Sequence, residues 1–222
     1  MPGYSGRALS RIALGCGNFG GVGSAPEFFG QGLSQDQALE LMDAAWQAGL
    51  THFDTADAYG GGRSEAAIGH WIASRGVRPQ LTTKTFNPMQ AGADHGLRPE
   101  RIARQLRASL DRLGVDQVDL YLAHDFDPQV PLAESLGAFA QAQAEGAILG
   151  YGVSNFGAAQ LTAALVLAAG AAARDARPSG DAERRGARTP GDAQRRGGRA
   201  PSGGALRGSQ RSPRRRCPPA VA

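Results

Sequence analysis

Five times between about residue 10 and residue 170, a short apolar run gives way to a glycine-rich or polar loop and then to a stretch with helical periodicity. This alternation restricts the fold severely. Each helix carries the chain back to restart in the same direction, so consecutive βα units make parallel strands. At roughly 30 to 35 residues per unit, the repeat suits a (β/α)8 barrel of the TIM type better than a doubly wound sheet, although five units alone do not decide between them. The fold class expected is therefore α/β, with about the first five βα units of a TIM barrel.

The boundaries follow from local chemistry. The first strand candidate is Arg11-Ile-Ala-Leu-Gly15. Helix one starts at Ser34, whose hydroxyl can cap with Gln37 three residues on, and stops before Gly49. Its positions Ala38, Leu41, Met42, Ala45 and Trp46 form one expected core-facing stripe. Strand two is Leu50 to Asp54, and helix two follows Ser64 through Ile68 and Ile72 to Gly76. Strand three is Gln80 to Lys84. Helix three opens on Pro99 and carries Ile102, Leu106, Leu110 and Leu113 before Gly114. Strand four, Val118 to Ala123, runs into His124; Pro131 opens helix four, with Leu132, Leu136 and Phe139 inward. Strand five is Ala147 to Val153, followed by Ser154-Asn155-Phe156 and the start of a fifth helix.

Near residue 170 the composition changes. Residues 1–170 carry 11 basic and 16 acidic side chains, whereas residues 171–222 carry 13 arginines and 4 acids, so the net charge of +4 comes from the tail. Arg, Gly, Pro, Ala and Ser dominate residues 171–222, too few apolar groups to offset the entropy of ordering, so a disordered tail is expected there. The domains expected are thus 1–170 and 171–222. The tail resembles GC-rich codons read in a shifted frame, and a frameshift replacing the last three units is the expectation, to be tested by looking for those units in another frame. With no aromatic residues interleaved among its arginines, the tail is not expected to bind nucleic acid. Cys16 and Cys217 lie on opposite sides of the division and define neither a disulfide framework nor a CxxC metal site. No apolar leader and no spanning segment are visible, so a cytoplasmic protein is expected.

In a parallel barrel, functional side chains sit at the C-terminal ends of strands. Here those ends read Asp54, Lys84, His124 and Ser154-Asn155, with Tyr59 five residues past Asp54. Lys84 is the only lysine in the chain, and an ammonium is a compact charge that responds to its pocket in a way that guanidinium does not. Acid, amine, phenol and imidazole can converge on one mouth. A phenol, with pKa about 10, is a weak acid near neutrality, and a nearby ammonium held by a carboxylate favours its ionised form. An imidazole can orient the same carbonyl oxygen. Singly, each residue has a structural alternative: Asp54 as a loop cap, His124 as a bonded strand-end histidine, Ser154-Asn155 as a helix cap. A metallohydrolase using His52, Asp54 and His124 lacks a paired HxH, and no metal site is expected.

The segment Gly49-Leu-Thr-His-Phe-Asp-Thr-Ala-Asp-Ala-Tyr-Gly-Gly-Gly-Arg-Ser-Glu-Ala-Ala-Ile-Gly69, with Thr83-Lys84-Thr85, Tyr121-Leu-Ala-His124 and Gly152-Val-Ser-Asn-Phe156 in the same order, resembles the aldo-keto reductases over about residues 8–170. The long Tyr-Gly-Gly-Gly-Arg-Ser-Glu version is similar to the branch containing bacterial general reductases and potassium-channel β subunits. The resemblance implies NADPH-dependent reduction of aldehydes or ketones, with a small carbonyl compound as substrate. It implies Tyr59 as general acid, Lys84 and Asp54 as the pair that tunes it, and His124 orienting the carbonyl. It also implies that Ser154 and Asn155 hold the nicotinamide carboxamide, and that Gly17 and Asn18, with Asp54, lie near the cofactor. The family's strand-six glutamine, its stacking aromatic and its 2′-phosphate loop have no matching positions, so weak or no NADPH binding, and with it loss of activity, are expected of this truncated polypeptide. A non-catalytic regulatory subunit is the alternative that the channel resemblance carries.

Overall fold

Strand and helix alternate throughout the chain as described in the computed structural model, which covers Gly6 and residues 9–175, with side chains to residue 170. The elements are β1 (Leu14–Gly15), α1 (Gln35–Gln47), β2 (His52–Asp54), α2 (Arg63–Arg75), β3 (Gln80–Thr85), α3 (Pro99–Leu113), β4 (Val118–Ala123), α4 (Leu132–Ala144), β5 (Ile148–Val153) and α5 (Ala158–Asp175). Short 3-10 turns fall at Pro26–Phe28 and Tyr59–Gly62. The five strands form one sheet in the order β1-β2-β3-β4-β5, every pairing parallel. The expected disordered, frameshifted tail lies outside the described residues, while α5 itself continues past residue 170 to Asp175.

Local signals account for the helix ends. Ser34 accepts from the Gln37 amide at 3.3 Å while the Gln37 side chain accepts from the Ser34 amide at 2.9 Å, a reciprocal box that satisfies two otherwise orphan donors. Pro99 starts α3, and Gly114 at φ 66° ends it in a left-handed cap that a side chain would strain.

The core lies between the helix-facing side of the sheet and the helices. Trp71 of α2 is 1% exposed and packs against Phe53 of β2 and Trp46 of α1, with ring centroids at 5.1 and 5.5 Å. Tyr121, Phe139 and Tyr151 continue the layer across β4, α4 and β5. Fully burying a large side chain of this kind contributes about 1.5–3 kcal/mol. Asp43 of α1 accepts from the Trp71 indole at 2.8 Å and pairs with Arg75 at 2.7 Å, tying α1 to α2 at the rim.

Several expectations differ in detail: β3 ends at Thr85 rather than Lys84, β5 starts at Ile148 rather than Ala147, and α2 starts at Arg63 with Ser64 inside it. The first strand begins at Leu14, because the ladder is confined to Leu14↔Phe53 and Gly15↔Asp54 at the sheet edge and Ile12 lies 66% exposed. Strand two likewise starts at His52 rather than Leu50. Leu41 is 41% exposed rather than inward: Trp46 occupies the flank of α1 that meets α2, and Leu41 falls on the opposite flank.

Candidate active site

The strand register sets the geometry of the site. Asp54, Thr82, Leu120 and Gly150 align in one row across β2 to β5, and Lys84, Leu122 and Gly152 align in the next. Side chains alternate along a strand, so these residues share the face turned away from the helices. A Cβ on Gly152 would lie 3.2 Å from the Leu122 side chain, so the row closes tightly at β5.

Asp54, Tyr59, Lys84 and His124 come together at the C-terminal end of the sheet. Lys84 is 6% exposed; its Nζ donates to Asp54 Oδ1 and, at 2.9 Å, to the carbonyl oxygen of Thr55. The same ammonium lies over the Tyr59 ring, 5.1 Å from its centroid. His124 stands edge-on to Tyr59, with centroids 5.4 Å apart and planes at 77°. Lys84 thus bridges an acid and a phenol, and the phenol touches the imidazole.

Backbone bonds fix these positions. The His124 amide donates to Thr85 O at 3.0 Å, the Asp57 amide to Lys84 O at 2.9 Å, and the Cys16 amide to Asp54 O at 2.8 Å. The Ser64 hydroxyl reaches Cys16 O at 2.8 Å and meets the Thr55 hydroxyl at 2.8 Å, tying the glycine loop after β1 to the base of α2. At the Tyr59 turn, Gly60 has φ 58° and a Cβ there would come within 2.8 Å of Gly20 O and Phe19 O. Only glycine permits both the conformation and that backbone approach.

Burial, with the Lys84 ammonium acting in the same direction, brings the His124 imidazole down to about 4. The ring is therefore neutral near pH 7 and can offer one N–H. Cys16, free and fully buried beside this group, has its thiol pushed up by burial and by the Asp54 carboxylate, so it carries no thiolate.

The other expected residues are placed unevenly. Gly17 lies against Tyr59, a Cβ there meeting the ring at 3.5 Å. Asn18 sits one residue on, with its carbonyl accepting from the Leu33 amide at 2.8 Å and its side chain beside Gly32. Ser154 follows β5, its amide bonded to Ala123 O at 2.8 Å. Asn155 adopts φ 56°, a left-handed conformation uncommon outside glycine, and its amide donates to His124 O at 2.7 Å. His52 is instead bonded to Thr82 Oγ1 at 2.7 Å, and among the described residues no three His, Cys, Asp or Glu side chains gather as a metal site.

Behind the sheet lies a set of residues the sequence reading did not single out. Glu65, with no exposed surface, accepts from Thr83 Oγ1 at 2.5 Å and from Arg112 at 2.7 Å. Asp57 accepts from Thr85 Oγ1 at 2.7 Å, and that hydroxyl in turn accepts from Arg101 at 2.8 Å. Thr83 and Thr85 flank Lys84 on the opposite face. Two hydroxyls on a fully buried strand require partners, and that was the available signal.

A parallel sheet in the sequential order β1 to β5, with helices between its strands and acid, amine, phenol and imidazole at the strands' C-terminal ends, is the arrangement of part of a TIM-type barrel. The Aldo/keto reductase family profile matches residues 11–176, and the chain belongs to that family. An aldo-keto reductase of Mycobacterium ulcerans (strain Agy99) is 41% identical over 163 residues, covering 70% of this chain and 52% of that protein. Aldo-keto reductase str7 of Strobilurus tenacellus is 34% identical over 152 residues, covering 67% and 44%. The chain spans about half the length of the curated relatives it matches. Among solved structures, a thermostable aldo-keto reductase, Tm1743, in complex with the inhibitor epalrestat superposes with a TM-score of 0.62 at 34% identity, over 74% of this chain and 56% of that one. The glycerol dehydrogenase AKR11B4 from Gluconobacter oxydans superposes with a TM-score of 0.63 at 29% identity, over 75% and 50%. The family's enzymes are oxidoreductases that generally use NADH or NADPH on small carbonyl compounds.

Proposed function

We propose that the site reduces an aldehyde or ketone to an alcohol with NADPH, Tyr59 acting as general acid. The observation that carries this reading is the placement of Lys84, bonded to Asp54 on one side and lying 5.1 Å over the Tyr59 ring on the other. Tyr59 gives its phenolic proton to the carbonyl oxygen, and the Lys84 ammonium stabilises the phenolate charge left behind. Asp54 accepts a hydrogen bond from that ammonium and holds it in place. His124, neutral and edge-on to Tyr59, donates a hydrogen bond to the same oxygen and orients it.

When bound, the reduced nicotinamide supplies hydride to the carbonyl carbon. The described residues fit that end of the cofactor: Ser154 and Asn155 present a hydroxyl and an amide beside His124, and Asn155 is locked to His124 O in a conformation few side chains adopt. Gly17 lies against the Tyr59 ring, and Asn18 follows it on the same loop. NADPH in preference to NADH is proposed from the resemblance of the Tyr59 to Glu65 motif. Residues 1–170, with α5 continuing to Asp175, form the reductase part of this reading. A cytoplasmic setting agrees with the free Cys16, and no helix among the described residues is long and apolar enough to cross a membrane.

Lys84→Met tests the carrying observation. It removes the ammonium while keeping the buried stem, and kcat for NADPH-dependent aldehyde reduction is expected to fall about 10²–10³-fold, with KM moving less. An unchanged kcat overturns the role given to Lys84.

A further inference from the structure

We infer that Asn87 fixes His124 as the Nε2–H tautomer, which makes Asn87 a positioning residue of the site. The geometry stands by itself; the consequence for catalysis rests on the reductase reading above.

Asn87 follows β3 and faces the end of β4, where its Nδ2 lies 3.3 Å from His124 Nδ1. An amide nitrogen only donates, so Nδ1 must accept, and a neutral imidazole that accepts at Nδ1 carries its proton at Nε2. His124 is 8% exposed, and the charged groups around it are Lys84, Asp54 and Asp125, with Tyr59 against its edge. None of these is a bonded partner of Nδ1; the contact made there is Asn87.

Asn87 is itself held from behind. Arg101 of α3, with no exposed surface, donates to Asn87 O at 2.7 Å and also to Thr85 Oγ1 and Gly96 O. A buried guanidinium thus pins the loop that presents the amide. His124 is fixed too, its amide on Thr85 O and its carbonyl on the Asn155 side chain. The tautomer decides what the ring can do. With Nε2–H it donates to a carbonyl oxygen, whereas the opposite tautomer turns a lone pair toward another acceptor and repels it.

The test is imidazole 15N NMR on the full chain at pH 7, with the His124 signals assigned by their loss in His124→Asn. The expected wild-type spectrum shows Nδ1 unprotonated and Nε2 protonated. Asn87→Asp supplies an acceptor in place of a donor and is expected to move the proton to Nδ1; Asn87→Ala is expected to give a mixture of the two tautomers. A wild-type ring protonated at Nδ1 overturns the inference without recourse to any variant, and so does one tautomer shared by wild type and both folded variants. A wild-type Nε2–H ring that shifts in the variants, in a chain that reduces no carbonyl, supports the assignment and tells against the reductase reading instead.

Discussion

Lys84 and Asp57 show two outcomes of burying charge at neighbouring positions. Lys84 has a carboxylate partner and a carbonyl acceptor and lies at the open end of the sheet. Asp57 lies behind the sheet, and burial pushes its carboxyl up to about 7, against the pull of the Thr85 hydrogen bond. A free carboxyl titrates near 3.9, so folding raises its pKa. The stability this contributes is complete below about pH 4 and is lost as pH rises to about 7. His124 acts in the opposite sense, since its lowered folded pKa makes stability rise with pH between about 4 and 6.5. Asp57→Asn removes only the first effect. The unfolding free energy of the variant, measured by urea titration, should therefore gain on wild type as pH climbs from about 4 to 7, by a few kcal/mol at most, from roughly 1.4 kcal/mol per pKa unit. Parallel curves would show that Asp57 ionises in the folded state as it does in the unfolded one. Lys84, Asp54 and Tyr59 were legible in sequence because strand ends and a singular lysine mark them. Asn87 was not, since its meaning depends on His124, which only the β3–β4 pairing brings near.

At the scale of elements, helix contacts decide substitutions that propensity alone would misjudge. Gly69 lies inside α2, where alanine ordinarily favours a helix by about 1 kcal/mol. Here a Cβ would run into the backbone of Arg112 and Leu113 in α3, which cannot give way as a flexible side chain could. Gly69→Ala is expected to destabilise by about 1–3 kcal/mol through overpacking, read as a lower urea midpoint; a higher midpoint would mean that α2 and α3 separate freely. The order and type of all five βα units were legible, because period, caps and turn glycines agree. Edges were less so. β1 shrinks to Leu14–Gly15 because it has one neighbour, and Leu41 turns outward because helical phase alone does not say which flank another helix will meet.

For the whole molecule, the described sheet ends at β1 and β5, and α5 exposes Leu165 at 60% and Val166 at 67%. Neighbouring apolar side chains left in water favour association. Sedimentation should show self-association that grows with concentration, and the pair Leu165→Glu and Val166→Glu should reduce it; identical behaviour would place the contact elsewhere. The chain spans about half of the length of its relatives. Turnover is best measured with the cofactor at millimolar concentration. The decisive comparison is NADPH oxidation by the full chain with an aldehyde, wild type against Tyr59→Phe. The phenylalanine keeps the ring between Lys84 and His124 and removes only the proton donor. Loss of about 10²–10⁴-fold in rate is predicted, the usual contribution of a general acid; equal rates in the two proteins would contradict the assignment of Tyr59 and, with it, the proposed site.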